Sequence, residues 1–225
     1  MKKNIIAIIP AKKNSTRLNN KNLKNIASKK LIWFSINAAL KSKYISRVIV
    51  STDCKKIKSY SEKSGADVPF IRPKKLCSDK TQMLDILRHA NKEIINSISK
   101  IDAFIILQPT SPLRDYKDID SAIKFFYKKK ADYVTSFSEA MPRDWYFKIG
   151  SNKKINYKII NKGKNHNTNY LLNGAIYIYN YKLLKKNFSK KTKCYSFLMP
   201  REKSIDIDFK IDFEIANFLL NKKKA

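Results

Sequence analysis

Two stretches of the chain carry side chains whose types and spacing could do chemistry. The first is "IIPAKKNSTRLNNKN" (8–22), where an apolar start breaks into a loop bearing Lys12, Lys13, Ser15, Thr16, Arg17 and Lys21. Backbone amides and hydroxyls can wrap a polyphosphate while cations neutralise it. The run is neither GxxxxGK[ST] nor GxGxxG, and the loop holds no glycine. Standing alone, it reads equally well as an exposed basic turn. The second stretch is "SIDID", with Asp206 and Asp208 two positions apart. In extended chain both carboxylates face one side. Paired hard oxygens with no His or Cys close by suit Mg²⁺ or Mn²⁺ bridging phosphates. Alone, the pair reads as surface acids on an edge strand. The chain has only 18 acids against a net charge of +30, and a basic loop as candidate partner. That contrast favours the metal reading. Asp212 is expected in the first turn of the last helix, where a carboxylate suits the dipole.

Positioning these groups requires a scaffold, and the pattern supplies one. Strands are expected at 4–10, 47–52, 102–109, 131–138 and 174–180, and helices at 31–42, 54–65, 81–98, 117–129 and 212–223. Apolar strands alternating with helices imply an α/β fold: a Rossmann-like, mostly parallel sheet covered by helices. Ligands bind beyond the carboxyl ends of such strands, which singles out the loops 10–22, 51–54 and 108–116. Between 139 and 172 the sequence turns polar, Tyr-rich and weakly periodic. We expect one nucleotide-handling domain over 1–225, with a small β-rich dimerisation arm at 139–172.

Composition narrows the classes. The chain of 225 residues is 43% hydrophobic, enough for a core. No run of about 18 apolar residues exists, so no membrane helix is expected. The start, "MKKNIIAIIPAKKN", has too short an apolar stretch for a signal peptide, which points to the cytoplasm. Cys54, Cys77 and Cys194 form neither a disulfide set nor a CxxC zinc pair. Of the 48 basic residues only seven are Arg, and the Lys are spread along the chain. A solvated basic surface is therefore preferred to a dedicated nucleic-acid groove. His89 is read as a helix packing residue, and His166 lies in the arm.

The motifs, in this order, resemble the sugar cytidylyltransferases, which make CMP-sialic acid and its relatives, and CMP-KDO. Their first strand ends in a signature close to I-P-A-R-x-x-S-K/T-x-x-x-x-K-N. Here Pro10, Ala11, Lys12, Lys13, Asn14, Ser15, Thr16 and Arg17 are followed by Lys21 and Asn22. "RVIVSTD" (47–53), "RPKKLCSD" (72–79), "LQPTSPLR" (107–114), "NGAIYI" (173–178) and "SIDIDFKIDFEIA" (204–216) continue the match over almost the whole chain. The resemblance implies a reaction in which a sugar's anomeric hydroxyl attacks the α-phosphorus of CTP and pyrophosphate leaves. Its protein groups mainly align the reactants and neutralise charge. By resemblance, Lys12, Lys21 and Asp208 are catalytic. Ala11, Lys12, Asn14, Ser15, Lys21, Asn22, Ser78 and Asp79 bind the nucleotide. Gln108, Thr110, Ser111 and Asn173 bind the sugar. Asp206 and Asp208 hold Mg²⁺ or Mn²⁺. The expected partners are CTP, an acidic nine-carbon sugar and a second copy of the chain.

The pattern is not followed everywhere. Lys12 stands where the family usually has Arg, and Lys cannot grip a phosphate bidentately. Thr16 stands where the sialate branch commonly has Lys, and "STRL" (15–18) is similar to the KDO branch. Before "NGAIY", the stretch "NKGKNHNTNYLL" offers Lys162 and Lys164 where that branch tends to carry Arg and Gln. Sialic, legionaminic and pseudaminic acid all remain open as the sugar. CMP-KDO synthesis is the alternative within the class, and a non-catalytic basic nucleic-acid binder the alternative outside it.

Overall fold

The structure, a computed structural model, describes residues 3–15, 17–98, 100–140, 169–186 and 188–222. Most of the expected arm, with Lys162, Lys164 and His166, lies outside the described residues, as does Thr16.

Eight strands and five α-helices build the described fold. The strands are β1 (Ile5–Pro10), β2 (Asn25–Ile26), β3 (Lys29–Lys30), β4 (Ile45–Ser51), β5 (Ala103–Ile106), β6 (Tyr133–Ala140), β7 (Asn169–Asn180) and β8 (Cys194–Leu198). The helices are α1 (Leu31–Lys41), α2 (Lys55–Lys63), α3 (Met83–Ile94), α4 (Tyr116–Lys128) and α5 (Lys210–Lys222). Six strands form one sheet in the order β4-β1-β5-β7-β6-β8. β1 pairs parallel with β4 and β5, and β6 parallel with β8. β7 runs antiparallel to both β5 and β6, so it alone opposes the other five. The expected mostly parallel, helix-covered sheet is observed.

Strand periodicity explains the layers. In β1, Ile5, Ala7 and Ile9 enter one core with Ile32 and Ile36 of α1 and Ile119 and Ile123 of α4. Ile6 and Ile8 enter the other with Leu84, Leu87 and Ala90 of α3. A strand buried on both faces can be apolar throughout, and its β-branched side chains fit the pleat. α4 starts with a capping box in which the Asp115 side chain accepts from the Asp118 backbone and Asp118 answers.

Two features were not expected from the sequence. β8 (CYSFL) is a short edge strand whose side chains alternate between exposed and half-buried, and Ser196 interrupts its apolar residues. The β2–β3 ribbon turns through Ala27 and Ser28 at φ 44° and 71°, positions where Gly or Asn would have signalled the turn. Asn217 of α5 holds this turn by accepting from the Ala27 amide at 2.8 Å. The strands expected to end at 138 and to resume at 174 run further: Glu139 faces Tyr170 and Ala140 faces Asn169, extending the ladder to the edge of the described residues.

Candidate active site

The carboxyl ends of β1 and β5, the stretch 72–86 and the segment 204–208 surround a cleft of about 290 Å³. The Ala11 amide donates to Ser51 O at 2.9 Å, and the Lys13 amide to Asp53 Oδ1 at 2.7 Å, so the loop after β1 leans on the loop after β4. Asn22 is buried and its amide donates to Lys12 O at 3.0 Å, closing the loop on itself. Lys12 reaches across to pair with Asp79.

Opposite lie the acids. Ser204–Asp208 is not a sheet strand, but the alternation expected of extended chain holds: Ile207 is fully buried while Asp206 and Asp208 line the cleft. The Ile207 amide donates to Thr110 O at 2.9 Å, which fixes the acids against the 107–114 loop. Lys203, by donating to Asp115 and Asp118, anchors the preceding turn on the start of α4. Asp212 accepts from the Asp208 and Phe209 amides at 3.0 and 2.7 Å, at the start of α5.

Asp208 is flanked by two cations. Arg17 pairs with Oδ2, and Lys21 lies 3.2 Å from Oδ1 while also donating to Ile207 O at 2.5 Å. Asp206 stays open to solvent on one side, yet desolvation of the remainder raises its carboxyl above the ordinary range. The Asp208 charge adds to the rise, while a hydrogen bond from Thr110 and the Lys21 charge oppose it. Among the described residues no cluster of three or more His, Cys, Asp or Glu could hold a metal alone. Two carboxylates beside the Gln108 and Thr110 oxygens are a hard donor set. Such a set fits Mg²⁺, which takes one or two protein carboxylates and completes its shell with water and phosphate.

The cleft gathers ten of the residues expected from sequence: Lys12, Ser15, Lys21, Asn22, Ser78, Asp79, Gln108, Thr110, Asp206 and Asp208. Four are placed elsewhere. Ala11 is fully buried under the loop. Asn14 lines a neighbouring cavity with Lys13 and Asp53. Ser111 is fully buried and its hydroxyl makes no hydrogen bond, so it packs the turn rather than lining the cleft. Asn173 is consumed internally: its Oδ1 accepts from Ser136 Oγ at 2.5 Å and its Nδ2 donates to Ser204 Oγ at 2.9 Å. The Ser136 contact sits at a register shift between Thr135 and Phe137, a bulge beside the site.

The sequence reading missed other groups. Arg72, only 3% exposed, lines both the cleft and the neighbouring cavity, and desolvation lowers its pKa. Its signal was the one Arg in "RPKKLCSD". Gly174 adopts φ +71°, and a Cβ there would lie 3.2 Å from Gln108 Oε1 and 3.4 Å from Asp206 Oδ2. Arg114, 1% exposed, donates to Ala175 O at 2.9 Å and Ser35 Oγ at 2.6 Å, tying the 107–114 loop to β7 and α1. His89, in contrast, was expected as a helix packing residue and packs edge-on against Phe70 at 5.1 Å.

Comparison with known proteins bears on this geometry. A family model described as cytidylyltransferase matches residues 6–224. The chain is 35% identical to the N-acylneuraminate cytidylyltransferase of Escherichia coli O18:K1:H7 over 99% of its own length. It spans about half of that relative, 54%. It is 33% identical to the CMP-N,N'-diacetyllegionaminic acid synthase of Legionella pneumophila, covering 96% of each chain. A solved CMP:2-keto-3-deoxy-manno-octonic acid synthetase, complexed with CTP, shares the fold at a TM-score of 0.75 and 16% identity, with 98% and 99% coverage.

Proposed function

The chain belongs to the cytidylyltransferase family, and on that footing we propose that it couples CTP to a nonulosonic, sialic-acid-like sugar, giving a CMP-sugar and pyrophosphate. The observation that carries this reading is the cleft in which Lys12, Arg17 and Lys21 of one loop face Asp206 and Asp208 of another. Cations on one wall and hard carboxylates on the other are what a metal–triphosphate needs. The relatives' named sugars support the substrate class.

In this reading Lys12 and Lys21 neutralise phosphate charge, and Lys21, held by Ile207 O, does so from a fixed position. Asn22, Ser78 and Asp79 frame the nucleoside end, with Arg72 beside them. Gln108 and Thr110 lie on the wall next to Asp206 and orient the sugar's hydroxyls toward the α-phosphorus. Mg²⁺ or Mn²⁺ bound by Asp206 and Asp208 supplies charge neutralisation at the phosphates. We further propose a homodimer working in the cytoplasm. No helix among the described residues is long and apolar enough to cross a membrane.

The test is pyrophosphate release from CTP with sialic, legionaminic and pseudaminic acids and KDO in parallel. Release with a nine-carbon acid supports the proposal. Release with KDO alone moves the assignment to the other branch, and no release with any of them overturns it.

A further inference from the structure

Arg17 belongs to the cationic wall of the cleft but has no separate role assigned above, and it already occupies Asp208, a proposed metal ligand. Its guanidinium pairs with Asp208 Oδ2 and lies 5.5 Å from the ring centroid of Phe209. Lys21 takes the other oxygen of the same carboxylate. Both oxygens of a proposed metal ligand are therefore held by cations of the opening loop. The two cations differ in freedom. The Lys21 side chain is 9% exposed and anchored on a backbone carbonyl, whereas that of Arg17 is 52% exposed. Of the two, Arg17 can leave without uncovering a buried charge.

A divalent cation approaching Asp208 meets a guanidinium already there, and like charges at such range repel. A triphosphate offers what a guanidinium binds best, paired anionic oxygens in a plane. We propose that Arg17 is an exchangeable counter-ion: it holds Asp208 before nucleotide arrives, moves to the triphosphate when it binds, and thereby frees Asp208 for the metal. Nucleotide and metal binding are then positively coupled through one side chain. The inference rests on the reading of Asp206 and Asp208 as metal ligands.

The experiment measures Mn²⁺ binding to the full chain without nucleotide, by electron paramagnetic resonance of the free ion at low salt. Arg17→Gln is expected to bind Mn²⁺ about three- to fivefold more tightly than wild type, the size of effect a half-exposed ion pair gives. The same variant is expected to bind CTP more weakly in the presence of EDTA. A general loosening of the fold would weaken both, so opposite signs mark the exchange. Arg17→Lys, which keeps the charge, should stay close to wild type for Mn²⁺. Unchanged or weaker Mn²⁺ binding by Arg17→Gln overturns the proposal. Asp208→Asn separates the two levels. If it leaves Mn²⁺ binding unchanged in both backgrounds, the metal assignment itself has failed and the exchange with it.

Discussion

Lys21 Nζ stands 3.2 Å from Asp208 Oδ1, joining positions 187 apart in sequence. The same ammonium donates to Ile207 O at 2.5 Å and is nearly buried. One side chain thus ties the loop after β1 to the acidic segment before α5. The cationic loop and the acidic segment of the cleft are held in register by a group that, in the proposed function, would also face the triphosphate.

Lys21→Met should therefore affect stability as well as activity. It removes a buried donor and leaves Ile207 O and Asp208 short of a partner. A loss of about 1–3 kcal/mol is expected in denaturant unfolding. Pyrophosphate release should fall far more than this destabilisation explains. A variant with full stability and full turnover would show that the contact is incidental.

Asp208→Asn is expected to stay folded and to lose nearly all turnover, on the order of 10²–10³-fold, because a ligand of the cation that would neutralise the reacting phosphates is removed. Circular dichroism and pyrophosphate release together check this.

Asp206 should behave differently in stability. Its folded carboxyl titrates above the ordinary 3.8, chiefly through desolvation. Folding thus favours its protonated form. Its stabilising contribution is complete below 3.8 and is lost as pH rises through the raised value. At neutral pH the ionised group opposes folding, so Asp206→Asn should raise thermal stability, by under about 1 kcal/mol given its open side. Activity should nevertheless collapse. For the wild type, Mn²⁺ affinity should fall as pH drops through the raised value, since the ligand must be ionised. Thermal melts at pH 7 and a pH series of Mn²⁺ binding test both signs.

Gly174→Ala places a methyl 3.2 Å from Gln108 Oε1 at a backbone φ of +71°. The left-handed conformation alone costs a non-glycine residue about 1–2 kcal/mol. Gln108 must also shift, so the KM for the sugar should rise more than that for CTP. Equal effects on both substrates would argue against Gln108 as a sugar contact.

Arg114→Met leaves Ala175 O and Ser35 Oγ without their donor in a fully buried place. A destabilisation of about 2–4 kcal/mol is expected in urea unfolding. Arg114→Lys should recover little of it, because one ammonium cannot span β7 and α1 as the guanidinium fork does.

Much of this was legible in residue order. The apolar runs of β1, β4 and β5 announced buried strands, and the loops following β1 and β5 line the cleft, while the loop after β4 supports the first of them and reaches only the neighbouring cavity through Asp53. The alternation in "SIDID" foretold that Asp206 and Asp208 would share a side with Ile207 turned inward. Other features had no linear signature. Ser111 and Asn173 carry the same donors and acceptors whether they meet a sugar or the protein. Here Asn173 is consumed by Ser136 and Ser204, and Ser111 is sealed in its turn. β8 did not stand out because its apolar residues are few and interrupted by Ser196, and as an edge strand it buries little.

Local chemistry settles the period of each strand, the donors of the opening loop and the spacing of the two acids, since these depend on neighbours within a few residues. Which cation meets which acid is a matter of distance through space. Arg17, Lys21 and Asp208 converge because the sheet order brings the end of β1 beside the 107–114 loop, on which Ile207 is hydrogen-bonded. Lys12 pairs with Asp79 by the same logic, while among the described residues the Lys runs elsewhere in the sequence do not line this cleft. Coulomb energy falls with separation and rises with burial. The packed fold is therefore what distinguishes the few cations that form a site from the many that only solvate a surface.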